Sequence, residues 1–128
     1  MASKTTEKFI EVLQEAEKTN NLDSLVGIFA EDAEITNLAT PKPLRGRDGA
    51  RQFWQKYLSV FNNIRSHFTN VVEIDGTAVL EWNSQGDLSS GEPIDYRGVT
   101  VLETNNGQVQ RFRTYYDSAA FLPQGAKK

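Results

Sequence analysis

The sequence predicts an α+β domain: three N-terminal helices packed on one face of a curved antiparallel sheet, together a cone-shaped α+β barrel. Three observations carry this. Apolar residues recur at helical period in three stretches before Asn62. Two hairpin signals, Asp75-Gly76 and Asn105-Asn106-Gly107, punctuate the remainder, because Asp, Asn and Gly accept the positive φ of a tight two-strand turn. Alternating runs flank both signals, so the order is helices first and hairpin-linked strands second.

The first helix is predicted from Thr6 to about Thr19. Phe9, Leu13 and Ala16 share a face at i, i+4 and i+7, with Ile10 and Val12 alongside and Glu and Lys filling the rest. Asn20-Asn21 breaks it. A second helix follows, with Asp23 as its cap and Leu22, Leu25, Val26 and Phe29 as its apolar stripe. Glu31-Asp32 turns the chain into a short strand, Ala33–Asn37. Leu38–Leu44 contains Pro41 and Pro43 and reads as an irregular loop over a cavity mouth. Gly46-Arg47-Asp48-Gly49 opens a third helix, with Asp48 favourable near its positive end. Ala50, Phe53, Trp54, Tyr57, Leu58 and Phe61 form its wide stripe, and Asn62-Asn63 stops it.

The remaining chain is β. Strands are expected at His67–Ile74, Thr77–Ser84, Ile94–Glu103 and Val109–Asp117, with a Gly- and Ser-rich loop at Gln85–Glu92. Ser118–Leu122 is expected to form one helical turn ended by Pro123, and Gln124–Lys128 to fray. Helices over one face of this bent four-strand sheet enclose an interior lined mostly by apolar and aromatic side chains.

At 128 residues the chain reads as one domain, with an ordered core of about 6–122. Apolar residues make up 38% and charged residues 24%, and the net charge is −3. That balance fits a globular domain and speaks against a nucleic-acid partner, which requires a basic face. Without cysteine there is no disulfide, thiolate metal site or thiol nucleophile. One His with scattered carboxylates offers no metal-ligand spacing, and no cofactor is assigned. The N-terminal residues lack the apolar core of a secretory signal, and no apolar run is long enough to span a membrane. The expected location is the cytoplasm.

Three segments, F-A-E-D-A-E-I at Phe29–Ile35, L-R-G-R-D-G at Leu44–Gly49 and F-R-T-Y-Y-D at Phe112–Asp117, in this order and spacing, resemble the nuclear transport factor 2-like superfamily, and within it the SnoaL-like group. The resemblance covers about Thr6 to Phe121. It implies the cone-shaped fold, which hosts enzymes, binding domains and assembly domains alike.

The catalytic residues of its enzymes are not matched. Relative to ketosteroid isomerases, Asn37 stands where the aspartate base is implied, and an amide cannot take a proton at neutral pH. Leu13 stands in place of the tyrosine that donates to the enolate, and the partner aspartic acid falls near Val99. Relative to limonene epoxide hydrolases, Asn37 matches the Asn of the water-activating site. Ile35, Trp82, Ser84 and Thr114 occupy the positions of its Tyr, Arg and two Asp. SnoaL-type cyclases imply an acid/base at about Thr114. Scytalone dehydratase-like sites need two histidines, and this chain has only His67.

Alternation on the last strand separates Phe112, Thr114 and Tyr116 from Arg111, Arg113, Tyr115 and Asp117, and the resemblance places the first set inside the cone. The hydroxyls of Thr114 and Tyr116 orient a ligand or bond neighbouring backbone. Asn37 either anchors a ligand carbonyl or hydroxyl or turns the chain at a strand end. Trp82 fills cavity volume as a stacking wall. Phe53, Trp54, Tyr57 and Phe61 are core residues of which one or two touch a ligand. Asp117 reads as a helix cap, Arg97, Arg111 and Arg113 as outer-face partners of Glu81, Glu103 or a second subunit, and His67 as structural or exposed rather than a base.

No catalytic residue is assigned, and whether the chain is an enzyme stays open. The reading is a domain binding a small apolar molecule in an enclosed pocket, with Asn37, Trp54, Tyr57, Trp82, Phe112, Thr114 and Tyr116 as ligand-binding residues, in a homodimer that buries the outer sheet face. The alternatives are an isomerase, cyclase or hydrolase using other residues, His67 or Tyr57 among them, and a protein-interaction module without ligand. A cavity filled by Trp82 and Phe112 would favour the last. The lining is expected to hold no ionisable proton shuttle.

Overall fold

A computed structural model of the chain describes residues 3–37 and 42–121. The expectations for Pro41, Pro123 and the C-terminal residues lie outside the described residues.

Helix α1 spans Lys4–Thr19. It starts earlier than the apolar stripe indicates because Ser3 caps it, its Oγ accepting from Thr6 N–H at 3.2 Å. Asn20 ends it in the left-handed conformation at φ 61°. Phe9, Val12, Leu13 and Ala16 are buried, and so is Glu17. Helix α2 is a short Asp23–Gly27. Asp23 is its first residue rather than its cap, and Phe29 leaves the helix to open strand β1, Phe29–Asn37. Strand β2 is two residues, Leu44–Arg45, pairing β1 where the prolines predict only loop. Helix α3 spans Gly46–Leu58 and buries Ala50, Phe53, Trp54 and Leu58.

Three strands are longer than predicted, β3 at Phe61–Ile74, β4 at Thr77–Leu88 and β5 at Pro93–Asn105, while β6, Gln108–Tyr116, has the predicted length and starts one residue earlier. Both hairpin signals hold. Asp75-Gly76 lies at φ 49° and 80°, and Asn106-Gly107 at 52° and 77°, the paired positive φ of a two-residue hairpin turn. Asn62-Asn63 does not end a helix but lies in β3, where Asn63 pairs with Asp87. The β3–β4 register shifts between Phe68 and Asn70, and such a bulge bends a strand.

The sheet has six strands in the order β2-β1-β6-β5-β4-β3, not four. It is mixed rather than wholly antiparallel, because β1 runs parallel to β6. It remains an open curved sheet with β3 at one edge, and the three helices cover its concave face. The α+β cone therefore stands, and it has an open end. Among the described residues, no helix is long and apolar enough to cross a membrane.

Candidate functional site

Sheet register sets the side chains in rows across the concave face. One row runs Ser66, Ser84, Tyr96 over β3, β4 and β5. The next runs Phe68, Trp82, Gly98, Tyr116, and the third Leu80, Thr100, Thr114, Asn37. Gly98 is required by the second row: a Cβ there would sit 2.6 Å from the Tyr115 carbonyl oxygen and collide with the Trp82 indole. The missing side chain is what lets the indole lie across the sheet.

These rows and the helices above them enclose two spaces. The inner chamber has a volume of about 30 Å³ and is lined by Trp54, Tyr57, Trp82, Phe112, Thr114 and Tyr116, together with Glu17, Ser66, Ser84 and Thr100. That is room for one or two waters. The outer hollow measures about 510 Å³ and is lined by Asn37, Lys42, Leu44, Gln52, Phe53, Lys56, Tyr57, Val60, Tyr116 and Phe121. Phe53, Tyr57 and Tyr116 line both, and so form the partition between them. Six of the seven residues expected to bind ligand thus surround the inner chamber. Asn37 lies with Tyr57 and Tyr116 on the outer hollow.

The inner apolar wall is a web of rings. Phe112 is 1% exposed and meets Phe9, Phe29, Phe53 and Trp54 at centroid distances of 5.4–6.2 Å. Thr114, read from sequence as a ligand or backbone partner, instead bonds another hydroxyl: its Oγ1 is 3.0 Å from Thr100 Oγ1. Trp82 Nε1 donates to that same Thr100 oxygen at 2.9 Å. The Nε1 of Trp54 is buried and, among the described residues, has no acceptor.

The lining, expected to hold no ionisable proton shuttle, does include a carboxyl, that of Glu17. This carboxylate is 6% exposed and is held by β3, its Oε1 accepting from Ser66 N–H at 2.8 Å. Its Oε2 is 2.5 Å from Ser66 Oγ, and Ser66 Oγ is 2.6 Å from Ser84 Oγ. Burial pushes the Glu17 carboxyl above the usual glutamate range, although the Ser66 hydrogen bonds and the nearby Arg65 and His67 oppose this. The Tyr57 hydroxyl hydrogen-bonds that of Tyr96. Burial raises the titration of Tyr57, Tyr96 and Tyr116.

The tempting ionisable residues lie elsewhere. Asp117 accepts from Ala119 N–H at 3.0 Å and so caps the closing 3₁₀ turn, Ser118–Phe121. His67 is exposed, on the alternation opposite Ser66 and Phe68. Arg111 and Arg113 converge on Glu103 outside the cone at 3.4 and 2.5 Å, and Arg97 is exposed.

The sequence profile of the SnoaL-like domain matches residues 7–112. A putative isomerase from Rhodopseudomonas palustris superposes with a TM-score of 0.84 at 15% identity, over 100% of both chains. An NTF2-like protein from Anabaena variabilis gives 0.82 at 18% identity, over 90% of this chain and 88% of that one. A protein of ketosteroid isomerase-like fold from Catenulispora acidiphila, solved with trimethylamine, gives 0.78 at 17% identity, over 88% of each. No functionally curated protein matches the chain. At these identities the solved structures establish the cone fold alone.

Proposed function

The chain belongs to the SnoaL-like domain family, and from that premise we propose that it binds a small, largely apolar molecule at the open end of the cone. The observation that supports this is the outer hollow. Its volume of about 510 Å³ falls within the roughly 300–1,000 Å³ of small-molecule sites. Leu44, Phe53, Val60 and Phe121 supply apolar wall, Asn37, Gln52, Tyr57 and Tyr116 supply polar groups, and Lys42 and Lys56 supply positive charge. The small chamber inside Trp82 and Phe112 has no room for an enclosed ligand, which taken alone favours an interaction module, so the binding reading rests on the outer hollow.

Native mass spectrometry of the gently purified protein, with displacement of anilinonaphthalene sulfonate, tests the reading. An adduct or displaceable dye is expected in the wild type and lost in Gln52→Trp, an exposed position on the hollow's wall. A folded protein with neither adduct nor displaceable dye would favour an interaction module instead. A second reading, an enzyme that transfers protons, is favoured by Glu17.

The outer sheet face supports a homodimer. Val72 and Ile74 are 57% and 72% exposed, and Val79 and Tyr115 about 40%, in adjoining rows of one face. A second copy would cover them. Light scattering that finds only monomer at micromolar protein removes this part of the proposal.

A further inference from the structure

We propose that the molecule held in the outer hollow is an amphipathic acid, with its apolar body against Leu44, Phe53 and Phe121 and its carboxylate at the ammonium groups of Lys42 and Lys56. This rests on the binding reading above and adds to it the charge and the orientation of the ligand.

The hollow runs against the charge balance of the chain. Acidic residues outnumber basic ones by 17 to 14, yet the hollow is lined by two lysines and, among the described residues, by no Asp or Glu. The lysines come from separate elements. Lys42 lies in the stretch before β2, and Lys56 lies on α3 one turn after Gln52. The pairs Gln52-Phe53 and Lys56-Tyr57 repeat at a spacing of four, so they stack on one side of the helix. In each pair the first residue is exposed and the second is turned inward, Phe53 being buried and Tyr57 half-buried. The result is an apolar depth beneath a cationic rim.

Both ammonium groups are open to a ligand. Among the described residues the one ion pair made by a lysine is that of Lys8 with Glu11, so neither Lys42 nor Lys56 is committed to a protein carboxylate. Residues 38–41, which precede Lys42, hold no acidic side chain. A cation in the last turn of a helix is favoured by the helix dipole, and that alone would account for Lys56. It does not account for Lys42, which lies on no helix and faces the same hollow.

The lining selects among anions. Phosphate is gripped by arginine forks and helix N-termini. No arginine lines the hollow, and neither does Gly46, where α3 begins. Arg45 and Arg47 at that end pair with Glu34 and Glu31. Lysines are compact point charges, which suit a single carboxylate. Orientation follows from solvation. A carboxylate pushed against Phe53 would lose its water, whereas one at the rim pairs with the lysines and stays hydrated while the apolar body fills the depth.

The test follows displacement of the neutral dye N-phenylnaphthylamine by naphthylacetate and by naphthylacetamide, which share one apolar body and differ in charge. Exposed ion pairs are individually weak, so at low salt the acid should bind about tenfold more tightly than the amide. Salt of about 0.5 M should shrink that gap to roughly twofold by screening. Lys42→Gln/Lys56→Gln should abolish the gap and leave amide binding unchanged. Lys4→Gln/Lys18→Gln removes the same charge outside the hollow and should keep it. Equal binding of acid and amide by the wild type overturns the proposal and leaves the binding reading standing. So does a gap that survives in Lys42→Gln/Lys56→Gln, or one that both double variants lose alike. If neither the dye nor either naphthyl compound binds the folded protein, the binding reading fails and the proposal falls with it.

Discussion

Replacing Glu17 with Gln should remove one limb of the pH–stability profile. In the folded chain burial holds the carboxyl above its ordinary value of 4.5, whereas in the unfolded chain it titrates near that value. Between the two, the folded state carries one proton that the unfolded state has lost. Unfolding free energy then falls by about 1.4 kcal/mol for each pH unit of rise. The stability contributed by neutral Glu17 is complete below 4.5 and is lost as pH climbs through the raised folded value.

The other shifted groups act in different windows. An Arg113 hydrogen bond lowers Glu103, and at Glu73 burial is outweighed by hydrogen bonds from Ser3 and Thr6. Their contribution is complete above the ordinary glutamate value and is lost on acidification. Tyr57, Tyr96 and Tyr116 are all raised and act only in alkali. Urea unfolding at a series of pH values, on wild type and Glu17→Gln, should therefore give profiles that diverge above 4.5, the variant becoming relatively more stable. Each kcal/mol of divergence should move the melting temperature by roughly 3–5 °C in a domain of this size. Parallel profiles across that range would refute the buried neutral carboxyl.

Phe112→Ala should cost about 3–5 kcal/mol by urea unfolding, because it empties the centre of the ring cluster; a loss below 1 kcal/mol, roughly the surface range, would show that the cluster does not set core packing. Gly98→Ala should cost about 1–3 kcal/mol and shift the tryptophan emission, because the new methyl displaces Trp82; an unchanged spectrum would contradict the row geometry. Ile74→Lys should change monomer stability by no more than about 0.5 kcal/mol yet lower the mass seen by light scattering if a second copy covers the outer face.

Local chemistry was legible and long-range pairing was not. Asp75-Gly76 and Asn106-Gly107 carry their turn conformation in their own side chains, so both hairpins could be read directly. Alternation put Phe112, Thr114 and Tyr116 on one face of their strand, and the family resemblance turned that face inward. Nothing comparable marks the parallel pairing of β1 with β6, whose partners, such as Asn37 and Thr114, are far apart in sequence with no shared turn. Residue type also misled where tertiary pairing overrides propensity. Asn62-Asn63 reads as a helix stop, yet it sits in edge strand β3, where Asn63 Nδ2 donates to Asp87 Oδ2 at 2.8 Å. Gln85-Gly86-Asp87 reads as loop, yet it pairs on both sides, with β3 and β5.

The same distinction explains Glu17. Its spacing gives it away: it stands four residues after Leu13 and eight after Phe9, on the buried face of α1. Its charge hides it, because a glutamate on a helix is ordinarily solvated. Ser66 lies outside the strand predicted from His67, and only the β3–β4 register brings its hydroxyl to that of Ser84. Turning charge away from the cone's interior is the default for a buried carboxylate, since an unpaired ion there is expensive. Burial raises the Glu17 carboxyl, and accepting from Ser66 offsets part of that cost; the same chamber is lined by Tyr57, Tyr116 and Trp54, whose indole N–H has no acceptor among the described residues. An apolar side chain at that position would pack the chamber at no electrostatic cost. The presence of a carboxyl bonded to Ser66, and through it to Ser84, in place of such a side chain is the reason to look for a polar group among the ligands of this cone.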